Sequence, residues 1–410
     1  MRIVVTFEER FIRSSDGNVF TSGMADYQFL CRYLTVFDQV VVLARVKDNE
    51  QITENCRQAS GPEVRFVALP CYIGPSDFFK NYRTIHSRTM QLVSSKNAFI
   101  LRVASPIATT LWQKLKRYNL PYGLEVVADP WDALSPGSVK TILRPILRQI
   151  MRRHLIRQCS HAQAVAYVTK YSLQKRYPPG NWSTHYSSIA LPKDVLVDQT
   201  ALKKRIERLQ AKIISGEPYH IGFIGNLSVL YKAPDILISA VSDCIQSNLN
   251  LKLFIVGEGS QKAQLIEQAN RLGISNKVHF IGALPPGPPI YSQLDDIDLY
   301  VLPSRQEGLP RSMIEAMARG VPCIGASVGG IAELLEPEEI VAPNQVKTLA
   351  EKIKSLLTDK RRMQQLAQRN VEIAREYISE VLEKRRIEFY SKVKEITERI
   401  SKCYKPKFRS

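Results

Sequence analysis

Residues Tyr219-His220-Ile221-Gly222-Phe223-Ile224-Gly225 make a short β-rich run that ends on glycine. One helix length later, Leu251-Lys252-Leu253-Phe254-Ile255-Val256-Gly257-Glu258-Gly259 repeats the form. Pro234–Gln246 between them is helical in pattern. The alternation continues: a helix over 261–272, strands over 278–281 and 297–302, a helix over 312–319, and a strand over 321–326 followed by Gly329-Gly330. Short buried-type strands separated by helix lengths predict a parallel sheet with helices on both faces. From Thr348 onward the pattern is helical.

Working outward, the first half shows the same alternation less cleanly. Strands are expected over 3–7, 39–45, 63–69, 98–103 and 124–128, with helices over 77–95 and 109–118. The stretch 139–158 has apolar residues at 142, 143, 146, 147, 150, 151 and 155, a helical period. Arg144, Arg148 and Arg152 fall on its other side. Such a helix lies on a membrane surface or is an ordinary surface helix, and both readings stand. Residues 198–216 are charged and helical and lack a strand, which suits a linker. The expected domains are therefore 1–197, a linker over 198–216, 217–371, and C-terminal helices with a basic tail over 372–410.

Composition agrees with two folded domains. The 410 residues are too many for one ordinary domain, and a hydrophobic content of 44% argues against disorder. The seven cysteines are scattered without a C-x-x-C pair, so they read as reduced thiols of a cytoplasmic protein. The first residues enter a strand directly and carry two early glutamates, unlike a signal peptide, and no apolar run is long enough to span a bilayer. The net charge is +18, and it is uneven. Between Asp132 and Asp194 there is no acid, but there are Lys140, Arg144, Arg148, Arg152, Arg153, Arg157, Lys170, Lys175, Arg176 and Lys193. The tail adds Lys402, Lys405, Lys407 and Arg409. This field attracts phosphates, anionic lipid or nucleic acid, or is a solvated basic face. None of the common nucleic-acid-binding patterns is present, and no nucleic-acid partner is expected.

Ligands of doubly wound sheets bind at the carboxyl ends of the strands. There the second half places Gly225-Asn226, Gly257-Glu258-Gly259, Gly282, Ser304 to Gly308, and Gly325 to Gly330. Glycine lets backbone amides approach a phosphate, and a following helix N-terminus adds partial positive charge. Lys232 follows the first loop and can supply a cation. In the run from Pro303 to Pro322, Glu307 and Glu315 stand eight positions apart, a little over two helical turns, so both can face one ligand. Spaced carboxylates accept hydrogen bonds from vicinal hydroxyls. Plain structural readings compete: Glu307 as an acid at a helix start, Glu315 as a partner of Arg311 or Arg319, Lys232 as a surface cation.

The Glu307/Glu315 spacing, followed by Ala316-Met317-Ala318-Arg319-Gly320-Val321-Pro322 and then Val328-Gly329-Gly330-Ile331-Ala332-Glu333, resembles the retaining glycosyltransferases of the group 1 type (family 4). The resemblance is strong from Tyr219 to about Glu336 and weaker over 1–190. It implies the GT-B fold: two Rossmann-like, doubly wound α/β domains facing a cleft, with C-terminal helices crossing back to the first. By resemblance Glu307 contacts the donor sugar and Glu315 the ribose, while Lys232 and the backbone at Gly308 and Leu309 bind the diphosphate. Gly257 and Asn226 belong to the same donor site. The Asp16-Gly17-Asn18-Val19 turn stands where the family's glycine loop faces the donor phosphates, so Gly17 is expected there.

Three departures stand out. Asn226 occupies a place where many relatives have Arg. Pro310 removes a backbone N–H. In Val126-Val127-Ala128-Asp129-Pro130-Trp131-Asp132, Asp129 replaces a histidine near the reacting centre and is carried as a third catalytic candidate. The run Asp295-Asp296-Ile297-Asp298 is read as the start of a strand, not as a metal site. No metal or other cofactor is expected, the nucleotide-sugar being a co-substrate. The resemblance implies transfer with retention to a saccharide acceptor. The basic first half suits a lipid-linked acceptor at the inner membrane face, in cell-surface polysaccharide synthesis. Alternatives are a soluble acceptor or a nucleotide-sugar 2-epimerase of related fold.

Overall fold

The computed structural model describes residues 1–49, 52, 56–134, 144–189 and 191–403. The chain divides into two compact units. The first comprises Met1–Val168, Leu173–Tyr186 and Glu383–Ser410; the second comprises Thr169–Ser172 and Ser187–Leu382.

The first unit is built on nine strands: β1 (Arg2–Arg13), β2 (Val19–Thr21), β3 (Gln39–Asp48), β4 (Arg57–Gln58), β5 (Val64–Leu69), β6 (Asn97–Val103), β7 (Gly123–Val126), β8 (Ala164–Tyr167) and β9 (Trp182–His185). Seven run parallel in the order β5-β3-β1-β6-β7-β8-β9, which reverses direction between β1 and β6. The parallel strands read as nearly continuous apolar runs because helices cover both faces. Val4, Leu43, Phe99, Leu101 and Leu124 are buried against Ile107, Ala108, Leu111 and Leu115 of the helix Pro106–Arg117. Local chemistry starts and ends that helix. Ser105 accepts from the Ala108 amide, Pro106 opens the first turn, and Lys114, Lys116 and Arg117 lie in the last.

The sequence expectation for β1 is too short. A bulge between Phe7 and Arg10 carries the strand on to Arg13, where it turns back as an antiparallel hairpin with β2, and β4 adds to β2. The expected helix over 77–95 is two helices, Gly74–Lys80 and Tyr82–Gln91. The helix expected over 139–158 is described as Arg144–His161, its start lying outside the described residues. Its face also differs from expectation. Arg148 and Arg152 are drawn onto the Trp131 ring, at 3.7 and 5.5 Å from its centre. Ile146 and Ile150 are exposed instead. From Glu383, the helix Ser379–Cys403 belongs to the first unit, where Tyr390 stacks on Tyr33 with ring centres 4.7 Å apart. Lys405, Lys407 and Arg409 of the basic tail lie outside the described residues.

The second unit holds β10 (Tyr219–Ile224), β11 (Leu251–Val256), β12 (Val278–Gly282), β13 (Leu299–Leu302), β14 (Cys323–Ala326) and β15 (Ile340–Val341). They form one parallel sheet, β12-β11-β10-β13-β14-β15, reversing between β10 and β13. The stretch 198–216 is not a linker. Its helix, Gln199–Ser215, is part of this unit, capped by the Asp198 carboxylate and ended by Gly216 in the left-handed conformation. Its cations turn inward. Lys212 Nζ meets the Asp298 carboxylate at 2.5 Å, and Arg205 donates to the Ile297 and Leu294 carbonyls. Asp298 is fully buried and also accepts from the His220 amide, so a short sequence reading sees neither side of the pairing.

Candidate functional site

The reversal of strand order between β10 and β13 opens a crevice at the carboxyl ends of the strands, the usual ligand position in such sheets. The loop after β10 supplies Gly225 and Asn226 and leads into the short 3-10 turn Leu230–Lys232. Ser304 and Glu307 come from the segment after β13, which runs into the helix Arg311–Ala318. Lys232 Nζ and Glu307 Oε2 meet at 3.1 Å across this point, with side chains only 13% and 12% exposed. Ser304 donates to the same carboxylate oxygen at 3.4 Å.

Backbone packing holds these loops. Gly257 has φ +147°, and a Cβ there would sit 1.9 Å from the Gly225 carbonyl oxygen. Gly257 therefore lets the loops after β10 and β11 touch backbone to backbone. Gly329 plays the same part against the carbonyl of Glu307, and the Gly330 amide donates to the Gly308 carbonyl at 2.5 Å. Glu333, at the end of the sequence motif, accepts from the amides of Lys170 and Tyr171 at 2.6 and 2.8 Å, and from that of Ser172.

What the crevice leaves open is informative. Among the described residues the amides of Gly308 and Leu309 donate to no carbonyl. Pro310 stands at the N-cap of the helix Arg311–Ala318, which has no side-chain cap, so its first-turn amides remain available to an anion. Glu315 lies one turn inward. Neither proposed partner holds it: Arg319 pairs with Asp295 through two bonds of 2.8 and 2.7 Å, and no ion pair joins Arg311 to Glu315. Burial pushes the Glu315 carboxyl up to about 7, against the opposing pull of Arg311 and Lys232. A half-buried carboxylate without a protein partner is a ready acceptor for ligand hydroxyls. Asn226 is exposed, and its carbonyl closes a local turn on the Ser228 amide at 2.6 Å.

Sequence reasoning missed Arg305. It grips Asp235 through two bonds of 2.8 and 2.6 Å and donates to the Leu230 carbonyl, tying the two crevice loops together. The signal is a salt bridge between residues 70 apart, which no local pattern reveals.

Two expected site residues lie in the first unit, away from this constellation in the chain. Gly17 is in the exposed tip of the β1–β2 hairpin, where Asp16 accepts from Ser14 and Asn18. Asp129 caps the short helix Pro130–Ala133, accepting from the Trp131 amide, the Tyr177 hydroxyl and Arg176. It is 7% exposed, and both its oxygens are committed to neighbours in its own unit. For metals, among the described residues Glu336, Glu338 and Glu339 place carboxylate oxygens within 4.8 Å of one another. Arg362 already bonds Glu336 and Glu339 at 2.7 and 2.6 Å there.

Residues 204–376 match the sequence model of the group 1 glycosyl transferases. Protein CapJ of Staphylococcus aureus is 26% identical over 332 residues, 80% of each chain. The Vi polysaccharide biosynthesis protein VipC/TviE of Salmonella typhi is 31% identical over 134 residues, 30% of this chain and 23% of that one. The structure of Anabaena HepE in complex with UDP and glucose superposes with a TM-score of 0.59 at 16% identity, covering 98% and 99% of the two chains. The fold is the GT-B pair of Rossmann-like units.

Proposed function

From the premise that residues 204–376 are a group 1 glycosyltransferase domain, we propose that this protein transfers a sugar from a nucleoside-diphosphate sugar to a saccharide acceptor, with retention of configuration. The single observation that carries the donor assignment is the constellation at the β10/β13 reversal: Lys232 against Glu307, open amides at Gly308 and Leu309, and an unpartnered Glu315.

In this reading the diphosphate lies on Lys232 and the open amides. They stabilise the negative charge that grows on it as the bond from the sugar C1 to the phosphate oxygen breaks. Glu307 orients Lys232 and accepts from donor sugar hydroxyls; Glu315 accepts from the ribose. The acceptor oxygen bonds to C1 on the face the phosphate leaves, and its proton passes to the departing diphosphate oxygen. Asn226 leaves one cation fewer at the phosphates, which places more of the charge on Lys232. UDP is the proposed nucleotide.

The acceptor proposed is a lipid-linked saccharide in cell-surface polysaccharide synthesis. The names of similar proteins support polysaccharide synthesis. The helix Arg144–His161 supports the membrane. Ile146 and Ile150 are 60% and 43% exposed and fall on one helical stripe with the exposed Arg153 and Arg157. No helix of the described residues is long and apolar enough to cross a bilayer, so contact would be peripheral.

Incubation with UDP-sugars, with and without a polyprenyl-diphosphate saccharide, tests the reading. Nucleotide release that requires the acceptor, and a product with the donor's anomeric configuration, is expected. Conversion of the donor to its 2-epimer without any acceptor would instead establish the epimerase alternative.

A further inference from the structure

The first unit has its own reversal of strand order, between β1 and β6, and a hollow of about 190 Å³ opens there. Its walls come from the bulged part of β1 (Phe7, Glu8 and Glu9), from Phe29, and from Arg102 and Ser105 at the end of β6. Every one of these residues belongs to the first unit.

Its lining carries three charged residues, Glu8, Glu9 and Arg102. Glu8 lies 3.4 Å from Arg45 and accepts from the Tyr72 hydroxyl, the Ser105 hydroxyl at 2.7 Å and the Ile107 amide at 3.1 Å. Its lone pairs are filled. Arg102 is held by Glu125, which is 2% exposed and also accepts from the hydroxyls of Tyr33 and Tyr186 at 3.0 and 2.8 Å. These two pairs are neutral overall. Glu9 remains. It accepts from the Thr21 hydroxyl and, at 3.3 Å, from the Ala25 amide, and among the described residues it forms no ion pair. Arg57, which reaches the neighbouring loop, is committed to Asp26 at 3.2 Å and to the Gly23 carbonyl at 2.7 Å. A carboxylate offers about four lone-pair sites, so Glu9 keeps capacity for two further donors.

We infer that this hollow receives the hydroxyl-rich end of the acceptor and that Glu9 makes it selective for a neutral or amine-bearing sugar over one carrying a carboxylate or phosphate. The inference rests on the transferase reading and adds the charge class of the acceptor's reacting end. A protein with a net charge of +18 keeps one uncompensated negative charge at this point. An anionic group would have to be desolvated beside it while the one cation in the lining, Arg102, is already paired with Glu125, whereas a hydroxyl or ammonium group would donate to it. The basic surface elsewhere then meets whatever anionic part the acceptor carries beyond its sugar.

The test titrates the full-length protein, in the presence of UDP, with three probes: methyl glucoside, methyl glucuronide and methyl 2-aminoglucoside, followed by saturation-transfer NMR. The neutral and amino probes are expected to bind about tenfold or more tightly than the uronate at low salt. Glu9→Gln is expected to raise uronate binding severalfold while leaving the neutral probe little changed. Binding of the uronate equal to or tighter than that of the neutral sugar overturns the inference. So does a preference unaffected by Glu9→Gln, or no response to any probe. The thermal shift produced by UDP alone, recorded on the same samples, separates the two readings. If that shift survives while the selectivity fails, only the hollow is misassigned; if both fail, the donor reading falls as well.

Discussion

The two sheets reverse strand order once each, at β1/β6 and at β10/β13, and the two places use their charged groups differently. In the first unit, Glu8, Glu125 and Asp129 are all engaged by partners of their own unit, while Glu9 on the wall of the hollow forms no ion pair among the described residues. In the second, Glu315 has no partner, a helix start has no cap, and a lysine–glutamate pair spans two loops. Carboxylates with full hydrogen-bond shells hold a scaffold. Those with spare capacity mark where a ligand sits. The distinction separates residues of the same chemical type that lie in equivalent positions of similar folds.

The largest effect should come from the spanning pair. Lys232→Ala or Glu307→Gln is expected to lower turnover by roughly 10²–10³-fold, as loss of a charge-stabilising group does, with melting temperature close to the parent for Glu307→Gln. Normal turnover in folded Glu307→Gln protein would break the comparison on the second-unit side. On the first-unit side, Glu125→Ala should cost about 3–5 kcal/mol of stability in denaturant melts, because Arg102 is left buried and unpaired. The UDP-induced shift should persist in the folded fraction.

Glu315 sharpens the contrast through pH. Its folded carboxyl is raised to about 7 by burial, so the folded state holds a proton that the unfolded chain releases. Stability is therefore lost as pH rises from the ordinary glutamate range through about 7, by on the order of 3 kcal/mol at full ionisation. Glu315→Gln should melt higher than the parent at pH 8 and alike at pH 4, while losing nucleotide affinity. This is the usual conflict between stability and a binding group. The smallest change is expected for Asp129→Asn. Weakening its cap and its pair with Arg176 should cost about 1–2 kcal/mol of stability and change turnover by less than tenfold. A loss of 10³-fold in a folded protein would restore Asp129 to the chemistry the sequence suggested.

The second unit was readable in the sequence because its information is local. Glycine-ended strands, an acid spacing of eight and a run of buried helix residues lie within short windows, and β10 to β14 fall where that alternation places them, while the two-residue β15 (Ile340–Val341) is too short to show. The first unit is specified by distant pairs. Arg102 and Glu125, or Glu8 and Arg45, meet only after the sheet forms, and the bulge that extends β1 to Arg13 has no clear periodic signature. For the same reason the helix Gln199–Ser215 has the local look of a linker. The acid its cations meet, buried Asp298, lies more than 80 residues onward, outside any local window.

The donor site at the β10/β13 reversal is probed by a thermal-shift series with UDP, GDP, ADP and their sugar conjugates. A ligand that binds only the folded state raises the melting temperature according to its affinity. A shift with one nucleotide, larger with a sugar conjugate and abolished in both Lys232→Ala and Glu315→Ala, is expected. No shift with any of them, or a shift that survives in both variants, would contradict it.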